Sequence, residues 1–317
     1  MPLPAIRAHH SAPQPGVPRS RNGTDDETSG LKGYIHDVGG PTANFRHVAC
    51  QKQLTDGVCR NRHCIGSETC RNLNTSHDDY LELLRKIRHV KGVKKVFVRS
   101  GLRYDYVLAD GNKEFVKELC QYHVSGQLKV APEHVVKHVT DLMGKADVNA
   151  FLTFKDWFDE ANRELGKKQY LVPYFMSSHP GCTLKDAVSL AEFLRDMHMQ
   201  PEQVQDFIPT PGSLSTAMYY TGINPLTGQK VYVARKAEEK QMQRALMQYK
   251  NPANYDIVYS LCLTGRRDLI GYGPKCLVAP RRHSRQSGHP LSNGRHGRSP
   301  VRAGQGRKDL NRTRKFR

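Results

Sequence analysis

The run YLVPYFMSSHPG, Tyr170–Gly181, decides the fold. Tyr170 to Phe175 is a short apolar and aromatic stretch of strand length, and it gives way to the small and polar residues Ser177, Ser178, His179, Pro180 and Gly181. The same grammar recurs upstream and downstream. Candidate strands span Gly33 to Val38, Lys95 to Val98, Gln127 to Val130 and Val204 to Ile208. Amphipathic stretches lie between them: Leu81, Leu84, Ile87; then Phe115, Leu119, Tyr122; then Phe154, Trp157, Ala161, Leu165; then Leu184, Ala187, Leu190, Leu194. Short apolar runs alternating with a helical period are the signature of βα units, so the chain reads as α/β with about five parallel strands. Ser76 followed by Asp79 resembles a capping box and predicts a helix start just after residue 76.

Parallel α/β sheets and barrels place ligand sites at the carboxyl ends of their strands. Those ends are Asp37, Gly39, Gly40, Pro41, Thr42; Ser100, Gly101, Arg103; Pro132, Glu133, His134; Ser177 to Gly181; and Pro209, Thr210, Pro211. Together they predict one mouth. Glu133 is either a carboxylate facing that mouth or a helix-start cap. Gly39 and Gly40 form a tight turn or a backbone approach to a ligand. Arg103 is either an anion-holding group or a solvated loop arginine, and His134 and His179 read as turn residues.

Four cysteines, Cys50, Cys59, Cys64 and Cys70, fall in one polar segment with the spacing C-x8-C-x4-C-x5-C. Thiolates select zinc or iron–sulfur clusters, and close spacing keeps the entropy of convergence small. The pattern matches neither common zinc knuckles nor ferredoxin runs, so it leaves the metal open. Disulfides or reduced surface thiols are the alternatives. Cys120, Cys182, Cys262 and Cys276 are scattered and read as small buried apolar residues, with Cys182 singled out because it follows a strand end.

The charge is uneven. From Arg281 onward there are twelve Lys or Arg and one acid, so residues 281–317 carry +11 of the formal +19. That composition predicts a disordered basic tail able to contact nucleic acid non-specifically, with steep salt dependence. Residues 1–29, with five prolines, also read as disordered. Neither a secretory leader nor a run of about 18 apolar residues appears, so no membrane partner is expected and the chain reads as cytoplasmic. Residues 30–212 form the βα region. Residues 213–280 form a smaller appended region, with turns at Asn224, Pro225 and Gly228 and a charged helix from about Ala234 to Tyr249 stopped by Asn251 and Pro252.

Several of these stretches, DVGGPTAN at Asp37, SGLRYD at Ser100, LKVAPEH at Leu128, YLVPYFMSSHPG, QVQDFIPTPGSLSTAMYYTG at Gln203 and NPANY at Asn251, with the four-cysteine segment, resemble the C-terminal half of a YgiQ-type radical S-adenosylmethionine protein. The resemblance implies a partial (βα)6 barrel, here incomplete, that holds a [4Fe-4S] cluster and S-adenosylmethionine. By resemblance Gly39 and Gly40 match the turn that receives the cofactor's amino group, although Pro41 stands where an acid is usual. Ser100 and Glu133 match positions near its ribose and carboxylate. The family's C-x3-C-x2-C triplet is absent from this sequence, which predicts a truncated product whose own catalysis is in doubt.

Three readings follow. The first is a radical S-adenosylmethionine family protein that performs reductive cleavage of its cofactor when complete, on an unknown substrate, with an auxiliary centre on Cys50, Cys59, Cys64 and Cys70. The second is a zinc-stabilised RNA- or DNA-binding protein using the basic tail. The third is an inert fragment.

Overall fold

The computed structural model describes residues 32–281 except 41, 60–62, 67 and 202–203. The expectations for residues 1–29 and for the basic tail beyond Arg281 lie outside the described residues.

Among the described residues, five parallel strands form two short sheets. In the first, β1 (Tyr34–Ile35) pairs with β2 (Lys95–Val96). In the second, β3 (Gln127–Glu133), β4 (Tyr170–Ser177) and β5 (Gln205–Asp206) lie in that order. All five fall inside the predicted strands or overlap them, but the described residues close no barrel. The pairing of β3 with β4 keeps register from Gln127–Tyr170 to Val130–Pro173, then slips so that Glu133 faces Phe175. A slip of this kind re-aims side chains at a strand end.

The helices are α1 (Gln51–Thr55), α2 (Asp78–Arg88), α3 (Tyr104–Asp110), α4 (Lys113–Glu118), α5 (Lys137–Met143), α6 (Val148–Glu164), α7 (Leu184–Asp196), α8 (Leu214–Thr221), α9 (Ala237–Met247) and α10 (Tyr255–Gly265). A single π turn, Leu119–His123, continues α4. Phe151, Phe154, Phe158 and Ala161 repeat at helical spacing along α6 and are buried against Leu128 and Val130 of β3. Asp147 caps α6 by accepting from the N–H groups of Asn149 and Ala150. Thr183 and Asp186 form a full capping box at α7.

Two local expectations are corrected. Ser76 and Asp79 make no capping box; His77 is the N-cap of α2, and the Ser76 hydroxyl bonds Asp78 instead. Tyr122 does not continue the buried face of Phe115 and Leu119, because the π turn rotates it outward, where it is 41% exposed beneath the Arg88 guanidinium.

The appended region shares its core with the βα region. Ala245, Leu246 and Tyr249, at and just beyond the end of α9, with Val258 and Cys262 of α10, pack with Val139, Cys182, Ala187, Val188 and Ala191. No helix among the described residues is long and apolar enough to cross a membrane.

Candidate functional site

The segments that follow β1 and β2 meet each other and lie against β3 at Lys129. The Gly40 N–H donates to the Gly101 carbonyl at 2.9 Å. Gly101 lies against β3 so closely that an added Cβ would sit within van der Waals contact of the Lys129 carbonyl. Its φ of +83° is itself a conformation that favours glycine.

Asp37 organises this junction. Its carboxylate accepts from the N–H groups of Gly39 and Arg99 at 2.8 Å, from the Ser100 N–H at 3.2 Å, and from the Ser100 hydroxyl. Partial burial alone would raise its pKa, but the Ser100 hydroxyl and three N–H donors outweigh that and hold it down at about 2. The Gly39–Gly40 turn and Ser100 are thus brought together by one carboxylate. Asp37, which links them, reads from sequence as one of the strand-end residues of the predicted mouth; its role as the linking carboxylate depends on contacts 62 and 63 residues away.

Glu133 ends β3, four residues beyond the Lys129 carbonyl that Gly101 meets, with φ +66°, a strained value for a side-chain-bearing residue. Lys145 holds its carboxylate at 2.9 Å. Arg103 is not solvated. Its side chain is mostly buried and forms a two-pronged ion pair with Asp105, at 2.8 and 2.5 Å. Among the described residues, the guanidinium is therefore occupied by an internal carboxylate.

The end of β4 is a second polar cluster. His134 and His179 are buried, and desolvation lowers each pKa to about 4, so both are neutral. His134 Nδ1 accepts from the Val136 N–H at 3.1 Å, which leaves the proton on Nε2, 3.4 Å from the Cys182 sulfur. Desolvation pushes the Cys182 thiol up to about 12, so the pair is thiol and imidazole rather than thiolate and imidazolium. His179 Nδ1 donates to the Pro180 carbonyl, and its Nε2 accepts from the Ser215 hydroxyl at 2.8 Å. Ser178 has φ +61°, its N–H donates to Gln243 Oε1 at 2.9 Å, and its buried hydroxyl has no partner among the described residues.

The four cysteines of the predicted tetrad are free thiols, each partly buried. Cys50 is the N-cap of α1, and the Cys70 N–H donates to the Cys64 carbonyl at 2.9 Å. Among the described residues, no three His, Cys, Asp or Glu side chains are grouped so as to hold a metal ion. Four soft donors on one segment suit a metal by chemistry, but as placed they do not form its site.

What the structure does build is the stem of that segment. The Asn74 N–H donates to the Ala49 carbonyl at 2.7 Å, His47 Nε2 lies 3.0 Å from the Ser76 carbonyl, and Arg46 pairs with Asp79 at 2.7 Å. Beneath them Asn44, His77 and Asp110 form a buried hydrogen-bonded chain. Cys120, Cys182 and Cys262 are buried as small apolar residues would be, whereas Cys276 is partly exposed.

Residues 202–315 match a family described as Domain of unknown function (DUF3362). Over 249 residues the chain is 59% identical to a UPF0313 protein of Clostridium perfringens, covering 78% of this chain and 38% of that protein. It is 57% identical, over the same length, to a UPF0313 protein of Clostridium botulinum, 39% of which is covered. The chain thus spans under two fifths of these curated relatives. Close homologues of this chain are UPF0313 proteins, the YgiQ-type family, across 78% of its residues.

Proposed function

We propose that the chain forms part of a radical S-adenosylmethionine protein, contributing a strand-end rim that binds S-adenosylmethionine and a four-thiol segment that takes up a metal centre. The observation that carries the reading is the junction in which Asp37 ties the Gly39–Gly40 turn to Ser100, with Glu133 at the end of the neighbouring strand. When bound, the cofactor supplies one-electron, hydrogen-abstracting chemistry.

The chain's own residues would bind and orient. The turn at Gly40 presents backbone without a side chain, and among the described residues an added Cβ there would meet only Ala43, at 3.9 Å. Ser100, a donor to Asp37, keeps hydroxyl lone pairs to accept with. The Glu133 carboxylate suits a cationic ligand group in exchange for Lys145. Cys50, Cys59, Cys64 and Cys70 are the proposed ligands of an iron–sulfur centre or zinc, and ligation by all four requires their segment to rearrange.

The test is calorimetric titration of the full chain with S-adenosylmethionine. Stoichiometric binding is expected, weakened about tenfold or more in Glu133→Gln through loss of a charged contact. Absence of binding, or native affinity in Glu133→Gln, would overturn the assignment.

A further inference from the structure

A ladder of rings climbs from the buried end of β4 to the surface. His179 meets Phe207 edge-on at 5.1 Å, Phe207 lies 5.7 Å from Tyr219, and Tyr219 lies 5.3 Å from Tyr220 at 90°. The first ring is 3% exposed and the last is 67% exposed.

Cations hold the upper rungs. The Arg235 guanidinium and the Lys240 ammonium stand 5.8 and 5.0 Å from the Tyr219 ring centre. Lys240 also donates to the Tyr219 hydroxyl at 2.9 Å, and Arg235 donates to the Tyr219 and Tyr220 carbonyls at 2.9 and 3.1 Å. Tyr219 is thereby fixed, and the backbone that presents Tyr220 is fixed with it. Ile208, 63% exposed, and Tyr232, 44% exposed, add further apolar surface in this region.

The local charge is net positive, although Arg244 is paired with Asp206 at 2.6 Å. Residues 213–250 contain six Lys or Arg and two acids. One of those acids, Glu239, accepts from the Tyr232 hydroxyl, while Lys230 and Lys236 are exposed. Aromatic faces interleaved with positive charge are what a single-stranded nucleic acid needs: π surface for unpaired bases and cations for phosphates.

We infer that the Tyr219–Tyr220 ladder with Arg235 and Lys240 is a stacking platform for single-stranded nucleic acid, which makes a nucleic acid the substrate class presented to the strand-end rim. This deepens the function proposed above and rests on it. It differs from the basic tail, whose twelve Lys or Arg come with a single aromatic residue, Phe316.

Fluorescence anisotropy of the full chain with labelled 12-nucleotide oligo-U RNA and oligo-dT, at three salt concentrations, tests it. Tyr220→Ala should weaken binding at least about fivefold while leaving the salt slope unchanged, because stacking is lost and phosphate contacts are kept. Tyr220→Phe, and Tyr170→Ala at the opposite end of β4, should stay within about twofold of the native chain. Either oligonucleotide qualifies, and comparing them separates RNA from DNA.

Native affinity in Tyr220→Ala, or polyglutamate competing as well as oligo-U, would overturn the inference. S-adenosylmethionine binding, measured on the same samples, separates the two readings. Cofactor binding without stacking-dependent oligonucleotide binding overturns only the substrate class. The reverse result overturns only the cofactor reading.

Discussion

The Asn44 side-chain nitrogen lies 2.9 Å from His77 Nε2, joining residues on either side of the cysteine-bearing segment. The amide orientation is set independently, because Asn44 Oδ1 accepts from the Arg103 N–H at 3.1 Å and Asn44 Nδ2 donates to the Arg103 carbonyl at 3.0 Å. His77 Nε2 is therefore an acceptor, and its Nδ1 proton faces Asp110 Oδ2 at 3.0 Å and the Thr75 carbonyl at 2.9 Å. Desolvation lowers the His77 pKa despite Asp110, which favours this neutral tautomer. Asn44→Ala removes one link and strands buried partners. A loss of about 2 kcal/mol in urea unfolding is expected, with faster labelling of Cys50 and Cys70 by a thiol reagent. Unchanged labelling would show that the stem does not restrain the segment.

Thiol accessibility also tests the metal reading. Cys50, Cys59, Cys64 and Cys70 are partly exposed, whereas desolvation pushes Cys120 and Cys182 up to about 12 and Cys262 up to about 11. The first four should react rapidly in the native state and the three buried thiols slowly. Zinc, or anaerobic iron with sulfide, should protect the four together. Protection that survives replacing any one of them by serine would remove that residue from the ligand set.

Gly101→Ala probes the junction of β2 with β3. The new methyl would enforce an unfavourable φ and press on the Lys129 carbonyl, which is backbone and cannot swing aside. A loss of at least about 2 kcal/mol is expected from the urea midpoint. A loss under about 1 kcal/mol would mean that the two strand ends separate readily.

Acid should unfold the β4 end. His134 and His179 sit at about 4, below the ordinary 6.5, so the unfolded chain takes up protons that the folded chain refuses. Their contribution is complete above pH 6.5 and is lost as pH falls toward 4, roughly 3 kcal/mol each at the limit. Urea midpoints measured between pH 7 and 4.5 should fall accordingly, and less steeply in His179→Gln.

The strand-end logic was legible because it is local. Leu128, Val130, Phe154 and Leu190 declare their elements through spacing alone, and each is buried. The long-range polar contacts were not. Gln243 lies in a charged helix and reads as surface, yet it is wholly buried. His77 carries no sequence mark of a partner 33 residues away. Arg103 reads either as an anion-holding group or as a solvated loop arginine, and the anion it holds is local, the Asp105 carboxylate two residues on, across the start of α3. Nor does cysteine spacing dictate convergence: the sulfurs have the right chemistry on one segment, while the grouping depends on backbone that the stem holds only at its base.

Gln243 accepts from the Ser178 N–H and donates to the Cys182 carbonyl at 3.0 Å. One amide thus fastens the appended region to the loop that follows β4. The two parts should melt as a single cooperative block, and a protease nick between α8 and α9 should leave the halves associated through that amide and the apolar core they share.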